Sequence, residues 1–386
     1  MVLEVAKRML VGRPVQTSRL GHTLLPKKIA LPVFASDAMS SVAYATEQIL
    51  IVLSAGGVAL ISATPWIALA VALLMLVVVA SYRQNVHAYP SGGGDYEVSS
   101  TNLGRRAGML VASALMVDYT LTVAVSVSSG VANLASAFPA LNGEATVVAV
   151  SIVAAIALLN LRGTRESGTA FAIPTYCFIA AVSIMIAWGA ARLALGHHLR
   201  AESAAYHYRS ARQYSGLLLV FLLLRAFSSG CTALTGVEAI SNGVPSFRQP
   251  KSKNAAATLA LLGGIAVAMF AGVTILALVS HVRTGLPGDV IGGPAGQSER
   301  TVIAQVGRAV FGSSSPLFYV LQLVTALILV LAANTAFNGF PVLASILAKD
   351  GFLPRQLHHR GDRLAFSNGI VLLSGFAIVL SAVRPG

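Results

Sequence analysis

Nine nearly unbroken apolar runs divide this chain, at roughly 32–55, 64–82, 108–138, 145–161, 169–195, 216–243, 255–281, 315–346 and 366–383. Each approaches the roughly 20 residues that a helix rising about 1.5 Å per residue needs to cross hydrocarbon. Inside lipid every backbone N–H and C=O must be satisfied within the spanning structure, which leaves helices or a closed barrel. No strand-like alternation runs through these stretches, so the expected fold is all-α, a polytopic transmembrane helical bundle. Residues 1–31 read as a cytoplasmic N-terminal tail and 32–386 as the transmembrane domain. A charged fraction of 11% beside 55% hydrophobic residues agrees, since soluble domains carry about a quarter charged residues.

The formal net charge of +13 raises the question of nucleic acid. The basic residues sit in short connections between apolar runs and form no single stripe, which argues against a nucleic-acid partner and for a topological cause. With the N-terminus inside, 18 of the 27 lysines and arginines fall on the cytoplasmic side and eight outside. One loop departs from this rule: "RLALGHHLRAESAAYHYRSARQY", after the fifth run, puts Arg192, Arg200, Arg209 and Arg212 outside. The N-terminus has no hydrophobic region with a cleavage site, so no removable signal peptide is expected. Cys177 and Cys231 both lie in apolar runs, which suits core packing and gives no disulfide or thiolate metal framework. Trp66 and Trp188 fit interfacial anchors, and Pro174 is expected to kink the fifth span.

The informative residues are the polar ones inside the runs, because an ionisable group at membrane depth is costly and tends to face protein or water. In the first span Asp37, Ser40, Tyr44 and Glu47 recur at spacings of three, four and three, which puts their oxygens on one helical face, with Ser36 and Ser41 beside it. In the third, Asp118 and Thr122 are four apart, and Tyr119, Thr122, Ser126 and Ser129 continue the face. The sixth has Ser228, Ser229, Thr232, Thr235 and Glu238, with Gly230, Gly236 and Gly243 able to loosen the helix. The competing readings are helix packing for the hydroxyls and, for Asp37, Asp118 and Glu238, a helix end among headgroups. Carboxylates, hydroxyls and carbonyls are hard ligands suited to a small cation, and no imidazole or thiolate cluster suggests a transition metal. A glutamate such as Glu238 can also carry a proton and so couple its movement to that of a cation.

"FASDAMSS" in the first span and "FSSGCTALTG" in the sixth both open on phenylalanine and run through serine and small residues. Five spans separate them, so the second copy would cross the membrane in the opposite sense, as in inverted-repeat transporters with sites at discontinuous helices. The repeats would cover about 32–195 and 216–386. A five-plus-five arrangement calls for a tenth helix, so the chain is expected to be a fragment that stops after its ninth span.

At these residues the chain resembles the amino acid, polyamine and organocation (APC) superfamily, whose members have the inverted-repeat (LeuT-like) fold. "YPSGGGDYEVSSTNLG", with Pro90, Gly92, Gly93, Gly94 and Tyr96, is similar to that superfamily's motif before the third span. No Lys-Ser or Lys-Thr follows these glycines and no strand precedes them, so they are not read as a phosphate loop. "LPVFASDAMSSVAYATEQIL" with "SSGCTALTGVEAISNGVPSF" resembles the KimA-type potassium transporters grouped with the KUP uptake proteins. That resemblance implies proton-coupled potassium uptake by alternating access, in a plasma membrane. It implies a potassium route along Asp37, Tyr44, Asp118, Tyr119, Thr122, Ser126 and Thr235, with K+ held at Asp37, Tyr44, Thr122, Ser126 and Thr235 and Glu238 coupling protons. Two departures are expected: Gln48 occupies a position where the family often carries a second glutamate, and the further helices and soluble C-terminal region into which family members continue are expected to be missing from this chain.

No cofactor is expected beyond the transported K+ and H+; the partners are lipid and a small cation, with a homodimer left open. The alternative is an amino-acid or polyamine permease on the same fold. A substrate carboxylate is usually held by backbone N–H groups at a glycine-rich break, yet the first span has no glycine before Gly56 and Asp37 would repel the anion. An enzyme is not expected: "HHRGD", with His358, His359 and Asp362, lacks a nucleophile motif and reads as cytoplasmic loop chemistry. No repeated carbonyl-filter sequence suggests a channel.

Overall fold

The computed structural model describes residues 24–90, 94–162, 168–208, 214–286, 290–291, 300–358 and 366–383. The first span is two helices, α1 (Lys27–Ser40) and α2 (Val42–Ser54), which meet at Ser41. A short turn follows at Gly57–Ile61, then α3 (Thr64–Ala88), α4 (Asp95–Leu103), α5 (Arg105–Ala137), α6 (Ala145–Leu161) and α7 (Gly168–Ala194). The second half contains α8 (Gly216–Gly230), α9 (Ala239–Asn242), α10 (Lys251–Val279), α11 (Val302–Phe311), α12 (Pro316–Lys349) and α13 (Ser367–Val383). Seven helical stretches are long and apolar enough to cross a membrane, and Ser367–Val383 is a shorter apolar helix. The protein is a multi-pass membrane protein. Pro174 lies inside α7, which continues through it.

Packing pairs the spans five apart: α2 against α8, α3 against α10, α5 against α12, and α6 against α13. A two-fold relation between halves of opposite sense produces this pattern of neighbours. Buried apolar side chains form two main clusters. One gathers Met39, Ile49, Met75, Phe178, Ile240, Leu259 and Phe270 from α1, α2, α3, α7, α9 and α10. The other gathers Val127, Val153, Phe337, Phe340 and Leu373 from α5, α6, α12 and α13. The seam between these clusters is where polar groups can be buried without breaking either apolar core.

Local ties join neighbouring elements at both ends of the bundle. At the end where α1 begins, Leu25 pairs with the backbone of Ser246 and Arg248, and the Phe34 and Phe247 rings stack with centroids 5.6 Å apart. At the opposite end α11 lies over α2, α5 and α7 with Val302–Gly307 and Val310 buried. Arg192 at the end of α7 donates to the carbonyls of Ala309 and Val310 at 3.0 and 2.8 Å, satisfying the last turn of α11. Two strands of two residues, β1 (His207–Tyr208) and β2 (Val290–Ile291), pair antiparallel.

Two expectations need correction. Cys177 is exposed on the outer surface of α7 and packs in no core; Cys231 is partly buried. The first helix begins at Lys27 and not near residue 32, so Asp37 lies a further turn into the span. Trp66 and Trp188 are exposed, as suits residues facing lipid or its interface. His358 approaches Ser345 through Nδ1, and the rest of "HHRGD" lies outside the described residues, as do Gly92, Gly93, most of the N-terminal tail, Arg209 and Arg212.

Candidate functional site

The interruption of the first span is made by hydroxyls. Ser40 Oγ donates to the Asp37 carbonyl at 2.7 Å and Ser41 Oγ to the same oxygen at 3.1 Å, where the Ser41 N–H also arrives at 3.2 Å. Three donors converging on one carbonyl weaken the helical ladder at that turn. Ser41 keeps helical dihedrals, φ −60° and ψ −27°, so the helix is notched and not unwound. Ser41 Oγ and Tyr44 Oη are hydrogen-bonded at 3.1 Å, which fixes the tyrosine beside the notch.

The sixth span is unwound. After Gly230 the chain passes through a 3-10 turn at Cys231–Leu234, Thr235 is extended with φ −57° and ψ 135°, and Gly236 has φ +85° before helix resumes at Ala239. A Cβ on Gly236 would lie 2.6 Å from Asp37 Cβ and 2.8 Å from the Ala38 nitrogen. Glycine is therefore required twice, for its left-handed backbone and for the crossing of the two interrupted helices. Both copies of the repeated motif thus fall at interruptions, and the interruptions touch.

Across the seam, α5 presents Asp118 and Tyr119, half-buried, with Thr122 and Ser126 buried. The Tyr119 ring lies over Gly339 of α12, where a Cβ would come within 2.7 Å of the ring. Asp37 is 5% exposed and Glu238 8%, which removes the headgroup reading for both. Asp37, Asp118 and Glu238 lie within coulombic range of one another, and Tyr44 within range of Asp37 and Asp118. Among the described residues no lysine or arginine forms an ion pair with these carboxyls. Asp37 Oδ1 and Ser126 Oγ are buried without a hydrogen-bond partner. Uncompensated carboxyls in a low-dielectric interior are strongly disfavoured unless a cation or proton joins them. No three His, Cys, Asp or Glu groups among the described residues converge as a tight metal cage.

The sequence-derived residues divide cleanly. Asp37, Tyr44, Thr235 and Glu238 belong to the crossing helices, and Asp118, Tyr119, Thr122 and Ser126 to the facing α5. Glu47, one of the same helical stripe, is not part of this group: its Oε2 accepts from the Val302 N–H at 3.1 Å, at the start of α11. Tyr82 and Asp95 were not singled out in the sequence. Tyr82 Oη donates to Asp95 Oδ2 at 2.7 Å, and Asp95 lies within coulombic range of Glu238 and Tyr119. The available signal was an acid placed directly after the glycine run of "YPSGGGDYEV".

Comparison with known proteins bears on this arrangement. The profile of the family described as amino acid permease matches residues 31–385. The chain is 46% identical over 380 residues to the potassium transporter KimA of Bacillus subtilis (strain 168), covering 98% of this chain and 60% of that protein. It is 24% identical over 345 residues to the branched-chain amino acid permease BcaP of Lactococcus lactis subsp. cremoris (strain MG1363), covering 81% of this chain and 67% of that protein. The chain therefore spans 60% of the length of the first relative.

Proposed function

The chain belongs to the amino acid permease family, and on that premise we propose that it takes up potassium, coupled to protons, by alternating access across the plasma membrane with its N-terminus in the cytoplasm. K+ is held at Asp37, Tyr44, Thr122, Ser126 and Thr235, on a route that passes Asp118 and Tyr119, while Glu238 carries the proton. The observation that carries this reading is Asp37 Oδ1, buried and unpartnered where the two interrupted helices cross. Carboxyls that share a dry seam without a protein cation call for mobile positive charge. Hydroxyls and a carboxylate supply the hard oxygens that replace a monovalent ion's hydration shell. The 46% identity to a protein named as a potassium transporter supports the choice of ion.

A permease for amino acids or polyamines is the second reading, favoured by the family description and by the amino acid permease relative. Against an amino acid, the Asp37 carboxylate repels a substrate carboxylate. The notch also keeps its backbone bonded: the Tyr44 and Ala45 N–H groups both donate to the Ser41 carbonyl. A polyamine escapes both objections. Purified protein in proteoliposomes, assayed for potassium flux with and without an imposed pH gradient, tests the proposal. Flux driven by the gradient and unaffected by putrescine or leucine supports it. Gradient-independent flux removes the proton coupling, and uptake of putrescine or leucine in place of potassium overturns the cargo.

A further inference from the structure

Away from the carboxyl seam, on the face where α2, α7 and α10 end, a cavity of about 450 Å³ opens between two connections. Its walls are Leu193, His198, Leu199, Arg200, Ala204, Val279, His281 and Arg283. Four of these eight side chains are basic or imidazole and none is acidic. Arg200 belongs to the loop whose arginines depart from the expected charge bias of the chain, and Arg283 to the connection that follows α10. An excess of positive charge on that face has no topogenic use.

The cavity is built and not incidental. The Ala201 N–H donates to the Ser280 carbonyl at 2.8 Å and the Arg283 N–H to Ser203 Oγ at 2.8 Å, stapling one connection to the other. The Arg283 guanidinium reaches the Tyr206 carbonyl, which holds the side chain along the wall. His281 has φ +56°, a left-handed backbone uncommon outside glycine, and this turns it into the same space. The acid nearest in sequence, Glu202, is engaged elsewhere: Arg300 and Arg308 bind it at 2.6 and 3.1 Å. Leu193, Leu199 and Val279, at or just beyond the ends of α7 and α10, give the cavity an apolar side next to its cationic one.

We propose that this cavity binds a phosphate group, either the diester of an anionic lipid headgroup in the adjoining leaflet or free inorganic phosphate, through His198, Arg200, His281 and Arg283. Guanidinium and imidazole groups suit phosphate oxygens, and the mixed lining suits a headgroup with its first acyl carbons. The proposal does not depend on which cargo the seam carries.

The test uses the full chain, purified and reconstituted. In one arm, vesicles of phosphatidylcholine are compared with vesicles containing phosphatidylglycerol, and retained lipid is measured by native mass spectrometry. In the other, inorganic phosphate is titrated against the melting temperature in phosphatidylcholine. Arg200→Gln and His198→Gln remove exposed side chains, and His281→Asn keeps a residue tolerant of the left-handed backbone. Loss of the Arg200 charge should weaken retention or the phosphate midpoint roughly five-fold, and loss of either imidazole should weaken it in the same direction. Arg83→Gln, exposed near the end of α3 on the opposite face, should have no effect. Selective retention of phosphatidylglycerol identifies the lipid as the source, and a saturable phosphate shift identifies the free anion. Retention and melting shifts that are the same in wild type and in all three variants overturn the proposal.

Discussion

Gly236 and Asp37 touch so closely that a single added carbon at Gly236 would lie 2.6 Å from the Asp37 Cβ. The contact locks the unwound sixth span onto the notch of the first.

Gly236→Ala should therefore disable the protein more than an ordinary glycine change. The left-handed backbone disfavours alanine by about 1–2 kcal/mol, and overpacking typically adds about 1–3 kcal/mol. Potassium flux should fall at least tenfold, with a lower melting temperature for the fraction that reaches the membrane. Wild-type flux in this variant would mean that the crossing is not required.

Asp37→Asn and Glu238→Gln separate the two proposed roles. The first removes the carboxylate at the crossing, and potassium binding and uptake should both be lost while surface expression is kept. The second is a permanent mimic of the protonated state: flux down a potassium gradient should persist, but stimulation by a pH gradient should disappear. Unchanged flux in both variants would remove these residues from the route.

Glu47 joins α2 to the start of α11. Its Oε2 accepts from the Val302 N–H at 3.1 Å, and Thr301 beside it donates to Asn133 Oδ1 at 3.0 Å, so α11 is tied to α2 and α5 at once. A hydrogen bond contributes about 0.5–1.5 kcal/mol, and more when a partner is charged, enough to shift the balance between docked and undocked α11 several-fold. In a background without Cys177 and Cys231, a cysteine placed at Ser129 should react with an impermeant thiol reagent several-fold faster when Glu47→Ala is present. Glu47→Gln, which keeps an acceptor oxygen, should stay near the parent rate. Equal rates for all three would dissociate Glu47 from the docking of α11.

Asp95 gives a pH signature. Burial holds its carboxyl above the usual carboxylate range, and the hydrogen bond from Tyr82 offsets only part of that rise. A carboxyl raised in the fold binds more protons native than unfolded. Its stabilisation is complete below the ordinary carboxylate value and is lost as pH climbs through the raised one. The melting temperature of the wild type should thus decline from acid towards neutral pH more steeply than that of Asp95→Asn. Parallel curves would show that Asp95 is not coupled to folding.

Much of the architecture was legible in the residues. Apolar runs near bilayer length located the spans, because lipid admits few backbone solutions, and α6 begins and ends where its run does, Ala145–Leu161. The spacing of Asp37, Ser40 and Tyr44 and of Asp118, Thr122 and Ser126 identified polar faces, since helical period alone decides which side chains share a side. The glycines of the sixth span announced its loosening. The break in the first span was harder to see, because serines make it by drawing hydroxyls to one carbonyl, and serine is equally at home in an intact helix.

Sequence by itself determined that this is a bundle of apolar helices with carboxyls inside it, since hydrocarbon length and helical period are local properties of the chain. Only the tertiary structure decided which carboxyls meet. Glu47 and Asp37 lie on one stripe of one span, yet the notch and the placement of α11 send Glu47 to a helix end while Gly236 brings Glu238 towards Asp37. That separation depends on contacts between residues some two hundred positions apart, which no local pattern encodes.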